Sequence, residues 1–172
     1  MINFYSNVEK IKHIERNGWK KIGVKGVVDT IASHSYGAQY FGWILAINEG
    51  KNSSKIIKML LIHDLIMAHI DNLTPHQKQY KNKRELENKA AEKLFKTLPE
   101  EISTEFKILF NEYQEEKTEE AQLAREADKL ETLYQAYFYS KKLGRDELQQ
   151  FINSYKHKIK SKTGKELLAK IQ

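Results

Sequence analysis

The stretch that decides the fold runs from Ile56 to Ala68 and reads IIKMLLIHDLIMA. Its apolar residues predict a buried helix, and in the middle of that helix His63 is followed directly by Asp64. Burial of a carboxylate is strongly unfavourable unless another group compensates its charge. A divalent metal ion would compensate both side chains, because neutral imidazole and carboxylate are ready-made ligands. A His–Asp pair held by ordinary hydrogen bonds is the alternative that this dipeptide leaves open.

The composition predicts an all-α protein. The 172 residues include only two prolines, and long stretches are rich in Leu, Ala, Glu, Lys and Gln, which favour helices. A chain of this length is most simply one compact domain, here residues 1–172, with about six to eight helices. The absence of cysteine excludes disulfides and thiolate metal sites.

We expect a cytoplasmic protein that does not enter a membrane. The N-terminal sequence MINFYSN contains no apolar signal region, and no stretch approaches the roughly 20 apolar residues of a membrane span. The net charge is +6, and the segment from Tyr155 to Gln172 holds six lysines and one glutamate. We interpret this segment as a solvated helix face rather than a nucleic-acid surface, because it lacks interleaved aromatic residues.

Apolar spacing, capping residues and prolines divide the chain into helices. Asp29 or Thr30 is predicted to cap the second helix, and Pro75 closes the helix that holds His63. The predicted helices are at about 2–15, 30–48, 53–71, 80–97, 100–117, 119–142, 146–156 and 164–171, with a glycine-containing loop at 16–28.

His34 and Asp128 are two further candidate ligands. His34 lies among small residues near the start of the second helix, and Asp128 lies on the longest helix, one turn beyond Ala124. Either residue alone would be interpreted as an ordinary polar side chain. Together with His63-Asp64 they place imidazole and carboxylate groups on three different helices, which favours a metal centre.

Four segments extend this pattern over most of the chain. They are Arg16-Asn17-Gly18-Trp19, Asp29-Thr30-Ile31-Ala32-Ser33-His34-Ser35, Leu61-Ile62-His63-Asp64-Leu65 and Asp128-Lys129-Leu130-Glu131. In sequence and in order they resemble the HD-domain metal-dependent phosphohydrolases, specifically the small HD proteins related to bacterial 5'-deoxynucleotidase. The resemblance implies a helical HD fold, with a metal-site core at about 16–142 and C-terminal helices at about 146–171.

The resemblance also implies a site and an activity. One divalent ion, with Mn, Co, Fe, Mg and Zn all open, would be bound by four ligands, namely His34, His63, Asp64 and Asp128. The implied reaction is hydrolysis of a phosphomonoester, most directly a nucleoside 5'-monophosphate, by a metal-activated water. Arg16 is the expected phosphate clamp. Trp19 is expected to wall the sugar or base pocket, with a purely structural aromatic as the alternative. A homodimer is the further expectation from the family.

Two positions depart from the family pattern. The family has a glutamate one turn after the histidine and a Gly-Asp pair two turns after it, where this chain has Met67 and Asp71-Asn72. Methionine cannot transfer a proton, and loss of general acid–base help typically costs about 10² to 10⁴ in rate. We therefore expect Asp71, together with Asp64, to carry catalysis and Asn72 to contact the substrate, with His69 as a less favoured proton donor. The alternative is a metal-binding HD protein with an altered substrate or lost catalysis, acting as a nucleotide-binding or interaction module.

Overall fold

The computed structural model describes residues 2–70, 82–143 and 148–171, and every regular element in these ranges is helical. The all-α prediction is therefore confirmed. The α-helices are α1 (Ile2–Ile11), α2 (Asn17–Lys21), α3 (Ile31–Asn48), α4 (Ser53–Ile62), α5 (Lys83–Phe95), α6 (Glu100–Glu115), α7 (Glu119–Leu143), α8 (Leu148–Tyr155) and α9 (Lys162–Ile171). Short 3-10 helices follow α4 at Leu65–Ala68 and α8 at Lys156–Lys158.

The first helix ends earlier than the sequence predicts, at Ile11 instead of about residue 15. The backbone of Ile14 accepts a hydrogen bond from Ile31 at 2.9 Å, and the Arg16 amide donates to Asp29 at the same distance. These bonds hold the chain in an extended pairing with the segment before α3, so it cannot continue as a helix. The predicted loop at 16–28 contains the short helix α2, which Trp19 anchors by burial in the core.

The helix predicted to continue through His63 is interrupted there. Helix α4 ends at Ile62, Asp64 has φ −104° and ψ 0°, and the chain resumes as the 3-10 helix Leu65–Ala68. All four residues of that 3-10 helix are buried. A regular surface helix buries one stripe of its circumference, so it could not bury four consecutive side chains equally.

Helices α3, α4 and α7 form the centre of the protein. Small residues let them approach closely, and Gly42 of α3 is the tightest point: a β-carbon there would lie 2.4 Å from Leu60 and 2.9 Å from Ile56, both on α4, and 3.6 Å from Ala127 on α7. Helices α1 and α5 pack against the 3-10 helix after α4, α6 packs against α4 and α7, and α8 and α9 pack against α7.

Side-chain caps fix where the central and C-terminal helices begin. The Thr30 hydroxyl accepts a hydrogen bond from the Ser33 amide, and the Ser33 hydroxyl accepts one from the Thr30 amide. These two bonds form a capping box at the start of α3. The start of α9 is held from outside, because Glu126 on α7 accepts hydrogen bonds from the amides of Lys160 and Ser161 at 2.9 and 3.1 Å. Among the described residues no helix is long and apolar enough to cross a membrane.

Substitution of Gly42 by alanine should lower the free energy of unfolding by about 1–3 kcal/mol, because the new methyl group overpacks the junction with Leu60 and Ile56. The control is Gly18→Ala in α2, where a β-carbon meets no atom within 4 Å. Urea unfolding followed by circular dichroism measures both variants. A Gly42→Ala protein as stable as the wild type would mean that the three helices repack at no cost.

Candidate metal centre

The three central helices bring the predicted ligands together. His34 lies in the first turns of α3, Asp128 lies midway along α7, and His63 and Asp64 follow the last residue of α4. Neighbouring side chains on an uninterrupted α-helix diverge by about 100°. Because α4 ends at Ile62, His63 and Asp64 instead face the same site.

The donor atoms of these residues converge on one point. One ligand atom from each of His34, His63 and Asp128 lies within 4.8 Å of the others. The Oδ2 atom of Asp64 is 3.8 Å from Nε2 of His34 and 3.4 Å from Nε2 of His63. The Oδ1 atom of Asp128 is 3.1 Å from Nε2 of His34. Two nitrogens and two carboxylate oxygens at this spacing form a donor set suited to a divalent ion.

His63 provides the clearest test of whether a metal fits. Its Nδ1–H donates to the backbone carbonyl of Leu60 at 2.7 Å, so Nε2 is left with the lone pair. That Nε2 is buried and has no hydrogen-bond partner among the described residues. Buried polar atoms in folded proteins are nearly always satisfied. An imidazole lone pair directed at three other donor groups is satisfied by a metal ion.

His34 is oriented by a carboxylate behind it. Its side chain is 1% exposed, Nδ1 bonds to Oε2 of Glu131, and Nε2 faces Asp128. Burial and the charge of Arg16 act to lower the pKa of His34, but the hydrogen bonds with Asp128 and Glu131 outweigh them and raise it to about 9. A carboxylate that bonds the rear nitrogen of an imidazole is the usual support of a metal-binding histidine.

Asp128 is held ionised by its neighbours. Its Oδ2 accepts from Lys129 at 2.7 Å and from the hydroxyl of Tyr113 at 3.2 Å, while Oδ1 faces His34. Burial alone would raise the pKa of Asp128, but Lys129 and His34 hold it well below its ordinary value. Burial likewise opposes ionisation of Asp64, and the two histidines lower its pKa below the usual range. Both carboxylates are therefore anionic and ready to bind a cation.

Arg16 and Trp19, predicted to contact substrate, lie in the same cavity wall as the metal centre. The guanidinium of Arg16 donates through NH1 to Asp29 at 3.2 Å and through NH2 to Thr132 at 3.0 Å. Trp19 is 2% exposed, and its ring packs against the aromatic rings of Tyr139 and Phe151 at centroid distances of 5.2 and 4.8 Å. Its indole Nε1 is buried without a hydrogen-bond partner among the described residues.

Two of the predicted site residues, Asp71 and Asn72, lie outside the described residues. Met67, which takes the place of the family glutamate, is 7% exposed and lines the same cavity as His63. Met67 and His63 line the same cavity although they do not lie on one α-helix, because Met67 belongs to the 3-10 helix. Met67 therefore places an apolar side chain in the cavity wall and supplies no group that could transfer a proton.

The cavity has a volume of about 1110 Å³ and includes residues that the sequence analysis did not assign to the site. Among them are Lys129 of α7 and Tyr113 of α6. Glu131, which the sequence analysis also left unassigned, lies directly behind His34. Glu131 follows Asp128 by three positions, so helical spacing could have placed both on one face. Helix α8 and the segment between it and α9 also line the cavity, through residues that no motif marked: Phe151, Ser154, Tyr155, His157, Lys158, Lys160 and Ser161.

Two imidazoles and two carboxylates gathered in one centre of an all-helical fold fit the class of HD-type metal-dependent phosphohydrolases. The family model described as HD domain matches residues 8–170, so the chain belongs to the HD-domain family. This confirms the resemblance found in the sequence.

Known proteins match nearly the whole chain. The 5'-deoxynucleotidase HDDC2 of Dictyostelium discoideum is 34% identical over 170 residues, covering 92% of this chain and 89% of that protein. The protein of the same name from Xenopus laevis is 29% identical and covers 93% of this chain and 80% of its own length. The crystal structure of the PH0347 protein from Pyrococcus horikoshii OT3 superposes with a TM-score of 0.82 at 30% identity, covering 99% of this chain and 98% of the other.

Replacement of Glu131 by glutamine should weaken metal binding about 10- to 100-fold, because the charged support behind His34 is lost. Titration of metal-free protein with Mn²⁺ by isothermal calorimetry measures the affinity. Glu85→Gln is the control, since Glu85 is exposed on α5 and, among the described residues, pairs locally with Lys89. An unchanged affinity in Glu131→Gln would contradict the supporting role, provided that thermal melting shows both variants folded.

Proposed function

We propose that this chain is a metal-dependent phosphomonoesterase that acts on nucleoside 5'-monophosphates. The observation that carries the proposal is the buried Nε2 of His63, which has no hydrogen-bond partner among the described residues and faces the donor atoms of three other side chains. The proposed ligands of a single divalent ion are His34, His63, Asp64 and Asp128. Relatives named 5'-deoxynucleotidase, which match about nine-tenths of the chain, support a nucleotide as the substrate.

The bound ion would neutralise phosphate charge and lower the pKa of a coordinated water toward neutrality, and the donor set leaves Mn, Co, Fe, Mg and Zn open. The chain itself supplies orientation and binding. Glu131 and the Leu60 carbonyl fix the two imidazole rings from behind. Arg16 lines the cavity and is proposed to donate its remaining N–H groups to the phosphate.

The rest of the cavity is proposed to hold the nucleoside. A volume of about 1110 Å³ is at the upper end of ligand pockets, which typically measure about 300–1000 Å³, so a nucleotide fits with room for water. The indole N–H of Trp19 lacks an acceptor among the described residues, and a sugar or base oxygen would provide one.

Proton transfer in this chain must use a residue other than the family glutamate, because Met67 occupies that position. Met67 lines the cavity and cannot orient water or protonate a leaving oxygen. Asp71 is the proposed substitute, with Asp64 beside the metal, and Asn72 is proposed to hydrogen-bond the substrate. A second candidate function follows from the same residue: with Met67 buried in the wall, the protein would bind metal and a nucleotide without hydrolysing it.

Wild-type protein supplied with Mn²⁺ or Co²⁺ should release phosphate from nucleoside 5'-monophosphates. His63→Ala should abolish turnover and metal binding, and Asp71→Ala should lower the rate by about 10² to 10⁴. His13→Ala is the matched control, since His13 is an exposed histidine that contacts Glu9 within the described part of the chain. Phosphate release and metal content are measured on every variant.

The possible outcomes separate the two candidates. Stoichiometric metal binding without turnover by the wild type on any nucleoside monophosphate would exclude the phosphatase and favour the nucleotide-binding module. Full activity of Asp71→Ala would remove the proposed role of that carboxylate and leave the hydrolase itself intact.

We further propose that the protein is a homodimer that pairs through the outer face of α3. The face opposite the buried stripe of α3 carries exposed apolar side chains, each at least 46% exposed: Tyr36, Tyr40, Trp43, Ile44 and Ile47. Exposed Tyr134 on α7 continues this surface through a ring contact with Phe41 at 6.1 Å. A helix that is apolar on both faces is expected to be covered on both.

A second copy of the chain is the occupant that the charges favour. Helix α3 contains no Asp, Glu, Lys or Arg, so two copies can meet there without like-charge repulsion, although each chain carries a net charge of +6. A two-fold contact would apply the same stripe of both copies to each other.

The double variant Trp43→Glu, Ile47→Glu should convert the dimer to a monomer, because four buried carboxylates would be unpaired in the contact. Light scattering coupled to size-exclusion chromatography measures the mass. The double variant Leu61→Glu, Ile108→Glu is the control, since these apolar residues are equally exposed on α4 and α6. A monomeric wild type, or dimer loss only in the control variant, would contradict the proposed surface.

A further inference from the structure

Lys129 lies in the cavity wall between the metal centre and the C-terminal helices. Its Nζ is 2.7 Å from Oδ2 of Asp128 and 5.4 Å from the ring centroid of Tyr155. The side chain is 21% exposed and lines the cavity. An ammonium group has three N–H donors, and among the described residues Asp128 is its one hydrogen-bond acceptor. Two N–H donors therefore remain for a ligand.

Arg16 is a second cation beside the centre, and neighbouring carboxylates neutralise its charge. Its NH1 lies 3.2 Å from Asp29 and 3.4 Å from Glu131, and its NH2 donates to Thr132. Two carboxylates therefore share one guanidinium. Arg16 can still donate hydrogen bonds to a phosphate, but it brings no net positive charge to the site.

The net charge of the centre depends on Lys129. Among the described residues, four carboxylates belong to the centre and its support: Asp29, Asp64, Asp128 and Glu131. A divalent ion together with Arg16 and Lys129 balances these four charges, so a site without Lys129 is net negative before substrate arrives. A phosphate dianion is repelled by a buried negative site and attracted by an adjacent ammonium.

We propose that the ammonium group of Lys129 binds a phosphate oxygen of the substrate beside the metal centre. The inference rests on the proposed function, since it names a phosphate-binding residue for the same site. Lys129 approaches from α7 and the C-terminal wall, whereas Arg16 precedes α2, so a phosphate at the centre is held by two cations from different parts of the fold.

A positioning role is the competing interpretation of the same contact. Lys129 and Tyr113 both bond Oδ2 of Asp128, which leaves Oδ1 toward the imidazoles, so Lys129 could serve only to orient that carboxylate. Loss of an orienting contact weakens binding of the metal. Loss of a phosphate contact instead weakens binding of phosphate after the metal site is filled.

The test measures inorganic phosphate binding by isothermal calorimetry to full-length protein at saturating Mn²⁺, so no turnover is needed. Lys129→Met should weaken phosphate binding about 10- to 100-fold, as expected for loss of a hydrogen bond from a charged donor. Lys129→Arg should retain most of the affinity, because it keeps the charge. Lys141→Met is the matched control: Lys141 lies on the same helix over a tyrosine ring, at 4.5 Å from Tyr137, but outside the cavity.

Phosphate affinity of Lys129→Met equal to that of the wild type at saturating Mn²⁺ would overturn the inference, whatever happens to metal affinity. Absence of phosphate binding by the Mn²⁺-loaded wild type would overturn it as well. Failure of the wild type to hydrolyse nucleotides, with phosphate binding still dependent on Lys129, would overturn the proposed activity and support the inference. Lys129→Arg and thermal melting confirm that a loss in Lys129→Met is not a loss of folding.

Discussion

The burial of charge between apolar helices is the constraint on which the rest of this structure depends. His34, Asp128 and Glu131 are almost completely shielded from water, and ionised groups in such surroundings require partners. Some of the partners are side chains, such as Arg16 and Lys129. The Nε2 of His63 has no hydrogen-bond partner among the described residues, and an unpaired polar atom in a core is costly unless a ligand satisfies it. A bound divalent ion would remove this cost and supply the chemistry of the site.

The same constraint organises the packing. The groups must come from α3, α4 and α7 to surround one point, and small residues such as Gly42 and Ala127 allow these helices to come close enough. Helix α7 contributes to both regions: Asp128 faces the centre, and Glu126 accepts hydrogen bonds from the backbone at the start of α9. The C-terminal helices that complete the cavity wall are thereby fixed to the helix that carries a candidate ligand.

Much of the centre could be predicted from the sequence because its residues are chemically distinctive. Imidazoles and carboxylates in apolar helices are rare, and His34, His63, Asp64 and Asp128 do lie together. The interruption of α4 was missed, since apolar spacing before and after His63 is compatible with a continuous helix. The cavity wall from α8 and the segment before α9 was missed for a different reason: tertiary packing brings those residues to the site, and residues such as Ser154 and Tyr155 carry no local signal of it.

The interruption of α4 also determines which tautomer His63 adopts. Carbonyl groups in the last turn of a helix have no amide partner within it, and the Leu60 carbonyl is therefore available to accept the Nδ1 proton. For His34 the corresponding acceptor is the side chain of Glu131. The orientation of His63 is thus fixed by a main-chain carbonyl, which no single substitution removes. The orientation of His34 is fixed by a side chain, which a substitution can replace. A substitution at position 131 would therefore change the support of His34 and leave the support of His63 in place.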